Sequence, residues 1–312
     1  MTQAIPPTIT QVRELDLSDD RHRLAQAARA GVQHRIRRGA YVSTASWAGL
    51  HADARYRLRC LAESEAKRTR PILSHWSAAV VHGIPVIGDW PPHVHRLVER
   101  ASGGRSRNAV VAHPTSLDSV ETVEVDGMLV TSVARTIVDL AGAGSFISAV
   151  TSADYALQRR RKNRVRASDL RAAFDAAMPV RATARIERVL EFATELTDSP
   201  AESVSRVNMY VSGFVMPSLQ SEFFDAQGFI GAVDFDWPQL NHVGEVDGRH
   251  KYIKDEYLNG RTPGEVVYEE KLREDRLRAL PKKVTRWDWH CALDPQRLRA
   301  HLLRAGIPLR RR

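Results

Sequence analysis

The sequence is poor in cysteine and has no long apolar run. Its two cysteines, Cys60 and Cys291, lie far apart in unrelated surroundings, which argues against a disulfide framework and against a thiolate zinc cluster. No stretch approaches the roughly 20 apolar residues that a membrane-spanning helix needs. Residues 1–17 also have no apolar signal core. These absences argue against a membrane protein and predict a cytoplasmic one.

The composition is that of an ordinary globular chain with an excess of basic residues. Of the 312 residues, 43% are hydrophobic and 27% are charged, so the chain is long and apolar enough for two or three domains. The net charge of +9 favours a polyanionic partner, because lysines and arginines that neutralise phosphates release counterions.

The charges are unevenly distributed towards the end of the chain. Residues 195–275 hold sixteen acidic against seven basic side chains, whereas residues 276–312 hold eleven basic against two acidic ones. An acidic patch flanked by basic surface suits a metal site that faces a phosphate backbone. Two ordinary solvated faces would give the same counts, so charge alone leaves both interpretations open.

The pattern of residues 10–42 predicts a winged helix-turn-helix. We expect a short helix at 10–15, a second helix that Ser18 caps and Gly31 ends, and a basic hairpin that turns at Gly39. Helix arginines would then face a DNA groove and wing arginines would reach phosphates. The first set is Arg21, Arg23 and Arg29, and the second is Arg35, Arg37 and Arg38. A helix-hairpin with a solvated arginine face is the alternative.

Residues 47–178 have the mixed pattern of an α/β connector domain. Helices are expected at 53–67, 72–82, 132–141 and 145–157, and strands at 93–98, 109–113 and 120–130. His75 and Trp76 lie on an apolar stretch, which places them in the core rather than in a catalytic site. The basic run at 159–166 fits either a nucleic-acid contact or a solvated loop.

Acidic residues recur around a predicted hairpin in the last third of the chain. Glu202 lies in the first turn of a helix that Ser199 caps. If the hairpin of residues 230–248 turns near 239–240, Asp234 falls opposite Glu245, at a Cβ separation of about 4.5–5.5 Å. Asp247 shares a face with Glu245 because side chains alternate along a strand.

Carboxylates this close raise each other's pKa or require a cation. Because no cysteine and no well-spaced histidine pair accompanies them, oxygen-only ligation favours Mg²⁺ or Mn²⁺ over zinc. Such an ion serves phosphoryl displacement, since it activates a water and stabilises the leaving oxygen.

These residues resemble a known superfamily of nucleases. Asp234, ten intervening residues and then Glu245-Val246-Asp247 resemble the PD-(D/E)XK restriction-endonuclease-like core, with Glu202 in the place of its frequent extra acidic ligand. Residues 251–252, 270–277 and 284–287 add a resemblance to the branch that contains the very-short-patch-repair endonuclease. The likeness spans residues 198–290 and implies a mixed sheet flanked by helices, metal-dependent phosphodiester hydrolysis, and a role in DNA repair or phage defence.

One position departs from the superfamily pattern. The catalytic lysine expected two residues after Glu245 is Asp247 here, so Lys251 or Lys271 would have to supply the positive charge. On the helix that follows, Arg273 and Arg276 would clamp phosphates or form ion pairs with acidic neighbours on that helix.

The first half of the chain is similar to a second family. Residues 15–20, 29–31, 36–41, 73–79 and 130–140 are similar to the AbiEi-type antitoxins of abortive-infection toxin–antitoxin systems. This resemblance covers about residues 8–160. It implies a winged-helix repressor with an α/β antitoxin domain, DNA as one partner and a cognate toxin protein as another.

The sequence therefore predicts an α/β protein of three domains, at residues 1–46, 47–178 and 179–312. They are a winged helix-turn-helix, an AbiEi-like α/β domain and a nuclease-like domain. The leading hypothesis is a metal-dependent DNA endonuclease that its winged helix delivers to DNA. A non-catalytic antitoxin or repressor is the alternative, and a defence nuclease restrained by its own N-terminal domain is a third.

Overall fold

The computed structural model describes residues 8–12, 18–66, 70–102, 109–177, 182–247 and 263–311. The chain is of mixed α/β class and divides into two compact units. We call Thr2–Ser145 with Val165–Glu191 the N-terminal unit, and Phe146–Arg164 with Phe192–Arg312 the C-terminal unit. The division into three domains stays a prediction. None of the described helices is both long and apolar enough to span a bilayer.

The N-terminal unit begins with a helix and a small sheet. The elements are β1 (Thr10–Gln11), α1 (Ser18–Arg29), β2 (Gln33–Arg37) and β3 (Ala40–Ser43), with the strands in the order β1-β3-β2. Gly31 follows the helix with a left-handed φ of 76°, and Gly39 turns the hairpin with a φ of 83°. Both conformations favour glycine, so the predicted helix stop and hairpin turn are confirmed.

The predicted short helix at 10–15 is wrong at its start. Thr10 and Gln11 pair with Tyr41 and Ala40 of β3, because a third strand satisfies the backbone groups along the edge of the hairpin. Residues 13–17 lie outside the described part of the chain.

Helices and short strands make up the rest of the N-terminal unit. They are α2 (Thr44–Ala48), α3 (Ala52–Ser64), α4 (His75–His82), β4 (Val94–Glu99), β5 (Val110–Thr115), β6 (Thr122–Val125), β7 (Met128–Thr131) and α5 (Val133–Ala143). After α6 (Phe146–Leu157), which belongs to the other unit, come α7 (Ala167–Ala177) and α8 (Thr183–Phe192).

Strands β4 and β5 are parallel, and β6 and β7 form an antiparallel hairpin. The fully buried Leu73 forms bridges to Arg96 of β4 and to Val130 of β7. It therefore links the two strand pairs, and Tyr56 and Cys60 of α3 pack in the same apolar core.

The C-terminal unit is built on a four-stranded mixed sheet. After α6 its elements are α9 (Pro200–Val211), β8 (Ser218–Asp225), β9 (Gly228–Trp237), β10 (His242–Asp247), α10 (Pro263–Ala279), β11 (Lys283–Asp288), α11 (Trp289–Leu293) and α12 (Pro295–Arg304). The strand order is β11-β10-β9-β8. Only the pair β10–β11 is parallel, and α10 lies in the crossover that such a pair requires.

Aromatic packing fixes the centre of this sheet. The rings of Phe235 and Trp287 stack with centroids 5.3 Å apart. A Cβ at Gly244 would lie 2.8 Å from the Trp287 ring, so β10 needs glycine at this position. Trp287 is buried in the core, and Trp289 begins α11.

Candidate carboxylate site

Asp234 and Glu245 lie on neighbouring strands of the C-terminal sheet. The antiparallel register that ends at Phe235 and Gly244 places Glu245 opposite Asp234 at its next position. The Asp234 carboxylate accepts a hydrogen bond from the Val246 backbone N–H at 2.8 Å. The hairpin register expected from the sequence is therefore the register observed.

Glu202 lies in the first turn of α9 with 2% of its surface exposed. It forms a capping box with Ser199: the Ser199 hydroxyl accepts from the Glu202 N–H at 3.2 Å and donates to Glu202 Oε1 at 2.8 Å. Glu202 Oε2 accepts from the Asp198 N–H and from Gln220 Nε2. Burial, and then the neighbouring Asp234 carboxylate, raise the pKa of Glu202 to about 8.

Two arginines hold the buried Glu245 carboxylate. Arg273 of α10 donates to Oε1 at 2.7 Å, and Arg286 of β11 donates to Oε2. Glu245 and Arg286 are also cross-strand partners in the parallel register. Gly231 leaves room for this arrangement, since a Cβ there would lie 3.0 Å from Arg273 Nη1. Both carboxylate oxygens thus accept charge-assisted hydrogen bonds.

The positively charged groups at the site differ from those expected. Asp247 ends β10 with an exposed side chain, and Lys251 lies outside the described residues. Lys271 is exposed on α10, two positions before Arg273. Because residues i and i+2 of a helix point in different directions, Lys271 points away from the sheet that Arg273 faces. Among the described residues, the cations that contact Glu245 are the two arginines Arg273 and Arg286.

The fit to a divalent cation differs among these carboxylates. Glu202 and the half-buried Asp234 fit one, because neighbouring carboxylates favour either a bound proton or a bound cation. Among the described residues, the donors that reach the Glu202 oxygens are neutral groups. Glu245 does not fit in this conformation, since guanidinium groups already occupy both of its oxygens. We refer to Glu202, Asp234 and Glu245 together as the acidic site.

The guanidinium of Arg276 is paired with Asp225. Its Nη2 and Nε donate to the two oxygens of Asp225 at 2.6 and 2.8 Å, and Nη2 also donates to the Gly228 carbonyl. The expected partners were phosphates or acids on the same helix. Arg276 instead ties α10 to β8, which disfavours the phosphate clamp.

Most of the arginines proposed for DNA contact lie on the surface of the N-terminal unit. The exposed ones on α1 and on the β2–β3 hairpin are Arg21, Arg23, Arg29, Arg35 and Arg38. Arg37 is half-buried, with its Nε 3.6 Å from Glu63. The exposed set suits a phosphate contact, whereas Arg37 helps to hold β2 against α3.

Sequence analysis missed a histidine group in the N-terminal unit. Within the described residues, His75, His95 and His113 form a group whose ligand atoms all lie within 4.8 Å of one another, and the predicted carboxylates do not form another such group. Their spacings of 20 and 18 residues match no metal-binding motif. The pairing register of β4 with β5 brings His95 and His113 together. We call them the histidine cluster.

Comparison with known proteins adds little. No protein-family profile matches the chain, and no curated protein matches it. Among solved structures, the RV2827C protein from Mycobacterium tuberculosis is similar, with a TM-score of 0.39 and 14% identity over 70% of this chain and 84% of that one. A likeness at this level does not show a shared fold.

Proposed function

We propose that the protein binds DNA and that its C-terminal unit is a metal-dependent endonuclease-like domain that hydrolyses phosphodiester bonds. The observation that carries this proposal is the acidic site, in which Glu202 from a helix and Asp234 from a strand adjoin. Burial, and then the Asp234 carboxylate, raise the pKa of Glu202 to about 8, and shifts of this kind recur at functional sites.

The arrangement of elements supports the resemblance to restriction endonucleases. A helix, three antiparallel strands, a crossover helix and a final parallel strand follow in the order α9, β8, β9, β10, α10 and β11. This order of elements supports the proposal, because the resemblance implies a mixed sheet flanked by helices. The last strand carries Arg286-Trp287, the arginine-aromatic pair that resembles the repair endonuclease branch.

The residues of the acidic site would divide the work of phosphodiester hydrolysis. Asp234 and Glu202 would hold Mg²⁺ or Mn²⁺, which supplies an activated water and stabilises the leaving oxygen when bound. Arg273 and Arg286 present guanidinium donors that a phosphate oxygen would compete for with Glu245. They would stabilise the developing negative charge in place of the missing lysine.

A plasmid assay tests hydrolysis. Supercoiled DNA is incubated with the protein and Mg²⁺ or Mn²⁺, beside a chelator control and the variants Asp234→Asn and Glu202→Gln. Asp225→Asn, on the same sheet but outside the acidic site, is the matched control. We expect metal-dependent nicking by the wild type and by Asp225→Asn, and loss of nicking in the two site variants.

The Glu245 contacts favour a second candidate, a non-catalytic DNA-binding regulator of the antitoxin or repressor kind. In that case Arg273 and Arg286 neutralise Glu245 permanently, and a cognate toxin protein is the expected partner. This function predicts gel retardation of DNA with every plasmid form intact in both metals. That outcome would end the endonuclease proposal.

A further inference from the structure

The histidine cluster joins three elements of the N-terminal unit. His75 begins α4, His95 lies on β4 and His113 lies on β5. In the parallel register Leu97 pairs with His113, and His95 shares a face with Leu97 because side chains alternate along a strand. The two strand histidines are therefore diagonal neighbours on one face of the sheet.

The three imidazoles contact one another directly. His95 Nδ1 and His113 Nε2 are 2.9 Å apart, and the His75 ring stacks on the His113 ring with centroids 3.7 Å apart. His75 and His95 are buried, and His113 is half-buried. Burial is the main cause that lowers the pKa to about 3 for His75 and about 4 for the other two, which gives the neutral form that metal ions bind.

A buried carboxylate stands behind the cluster. Asp139 of α5 accepts a hydrogen bond from Arg135 at Oδ1, whereas its Oδ2 has no hydrogen-bond partner among the described residues. That oxygen lies 3.7 Å from His75 Nδ1, a nitrogen that is also within hydrogen-bond distance of the Ser74 hydroxyl at 3.0 Å. A carboxylate next to the far nitrogen of a ligating histidine fixes the tautomer and the ring orientation at many metal sites.

The backbone of His75 is strained at the same place. Its φ is 52°, a left-handed conformation that costs a residue other than glycine about 1–3 kcal/mol and that recurs at ligand sites.

We propose that His75, His95 and His113 form a binding site for a divalent transition metal ion such as Zn²⁺, with Asp139 orienting His75 and a water or external ligand in the fourth position. Three imidazole nitrogens suit Zn²⁺, Co²⁺ or Ni²⁺, whereas Mg²⁺ prefers oxygen. Solvent reaches the half-buried His113, and zinc sites with three protein ligands take a water in the fourth position.

Binding requires the stacked rings of His75 and His113 to separate and tilt, because the lone pair of each ligating nitrogen lies in its ring plane. Zinc–nitrogen bonds of about 2.0–2.1 Å in tetrahedral geometry place the ligand nitrogens about 3.3 Å apart. The present separations reach at most 4.8 Å. The hydrogen bond between His95 and His113 is replaced by two bonds to the ion.

Cobalt binding tests the site. Protein freed of metal by chelator dialysis is titrated with Co²⁺, followed by visible absorption, and then with Zn²⁺. We expect one equivalent of tetrahedral Co²⁺ that Zn²⁺ displaces. At a free Zn²⁺ concentration about 100-fold above Kd, the unfolding equilibrium constant should fall about 100-fold.

Two variants and a control keep the test specific. His113→Gln should abolish the cobalt spectrum, and Asp139→Asn should weaken binding about 10–100-fold, each with folding verified in the metal-free state. His93→Gln, an exposed neighbour, should bind as the wild type does. Absence of stoichiometric binding in the folded wild type, or equal binding by His113→Gln, would overturn the proposal.

Discussion

A buried group of histidines in the N-terminal unit contrasts with a buried glutamic acid in the C-terminal unit. The N-terminal unit buries the histidine cluster, whose pKa values lie below the ordinary value of 6.5. The C-terminal unit buries Glu202, whose pKa lies above the ordinary 4.5, and Asp154, which pairs with Arg206. Burial favours the neutral form of each group unless an opposite charge is held against it.

The largest expected loss of stability follows from breaking the buried pair of Asp154 and Arg206. Asp154 of α6 is fully buried and accepts hydrogen bonds from Arg206 at 3.0 and 3.1 Å and from the Thr194 N–H. Asp154→Ala leaves the Arg206 charge buried without its partner. We expect a loss of about 3–5 kcal/mol in the free energy of unfolding, measured by denaturant titration.

The partly exposed pair of Arg276 and Asp225 is the matched control in the same unit. Arg276→Ala should lower the free energy of unfolding much less than Asp154→Ala does, because solvent screens this pair and replaces its hydrogen bonds. Equal losses in the two variants would show that burial does not set the cost of a broken ion pair here.

Acidification should destabilise the N-terminal unit through the histidine cluster. The unfolded chain binds more protons than the folded one between about pH 6.5 and pH 4, so this contribution is complete above pH 6.5 and is lost as the pH falls. The limiting slope is about 1.4 kcal/mol per pH unit for each histidine. Amide hydrogen exchange of α4 and β4 in metal-free protein measures this slope. An unchanged slope in His113→Gln would contradict the role of the histidine cluster.

Glu202 should give the C-terminal unit the opposite dependence. Its folded pKa is raised, so its contribution is complete below about pH 4.5 and is lost as the pH rises through about 8. Glu202→Gln preserves the capping box and should flatten this part of the stability profile. The difference between variant and wild type cancels all other titrations, and parallel profiles from pH 5 to pH 8 would refute the assignment.

Short sequence patterns predict part of the acidic site in the C-terminal unit. Ser199 and Pro200 predicted the start of α9 with Glu202 in its first turn, and alternation around a short turn predicted Asp234 opposite Glu245. Each of these patterns is set by near neighbours in sequence. Short sequence patterns therefore predict that Asp234 and Glu245 lie opposite each other and that Glu202 begins a helix.

Contacts between residues far apart in the sequence could not be predicted from such short patterns. The residues near Glu245 in the sequence do not predict its contacts with the arginines of α10 and β11. Those contacts depend on the parallel register of β10 and β11 and on the packing of the crossover helix. Thr10 and Gln11 form a strand because they pair with the edge of β3. The histidine cluster depends on the pairing of β4 with β5, which no local pattern encodes.

The smallest expected effect separates two neighbours on the N-terminal hairpin. Arg38 is exposed, whereas Arg37 lies 3.6 Å from Glu63. If the hairpin contacts DNA, Arg38→Ala should reduce the slope of log affinity against log salt by about 1, because one phosphate contact is lost. Arg37→Ala should change the slope less, since its charge is already compensated within the protein. A gel-retardation series over salt concentration distinguishes them, and equal slopes for both variants and the wild type would place the DNA contact elsewhere.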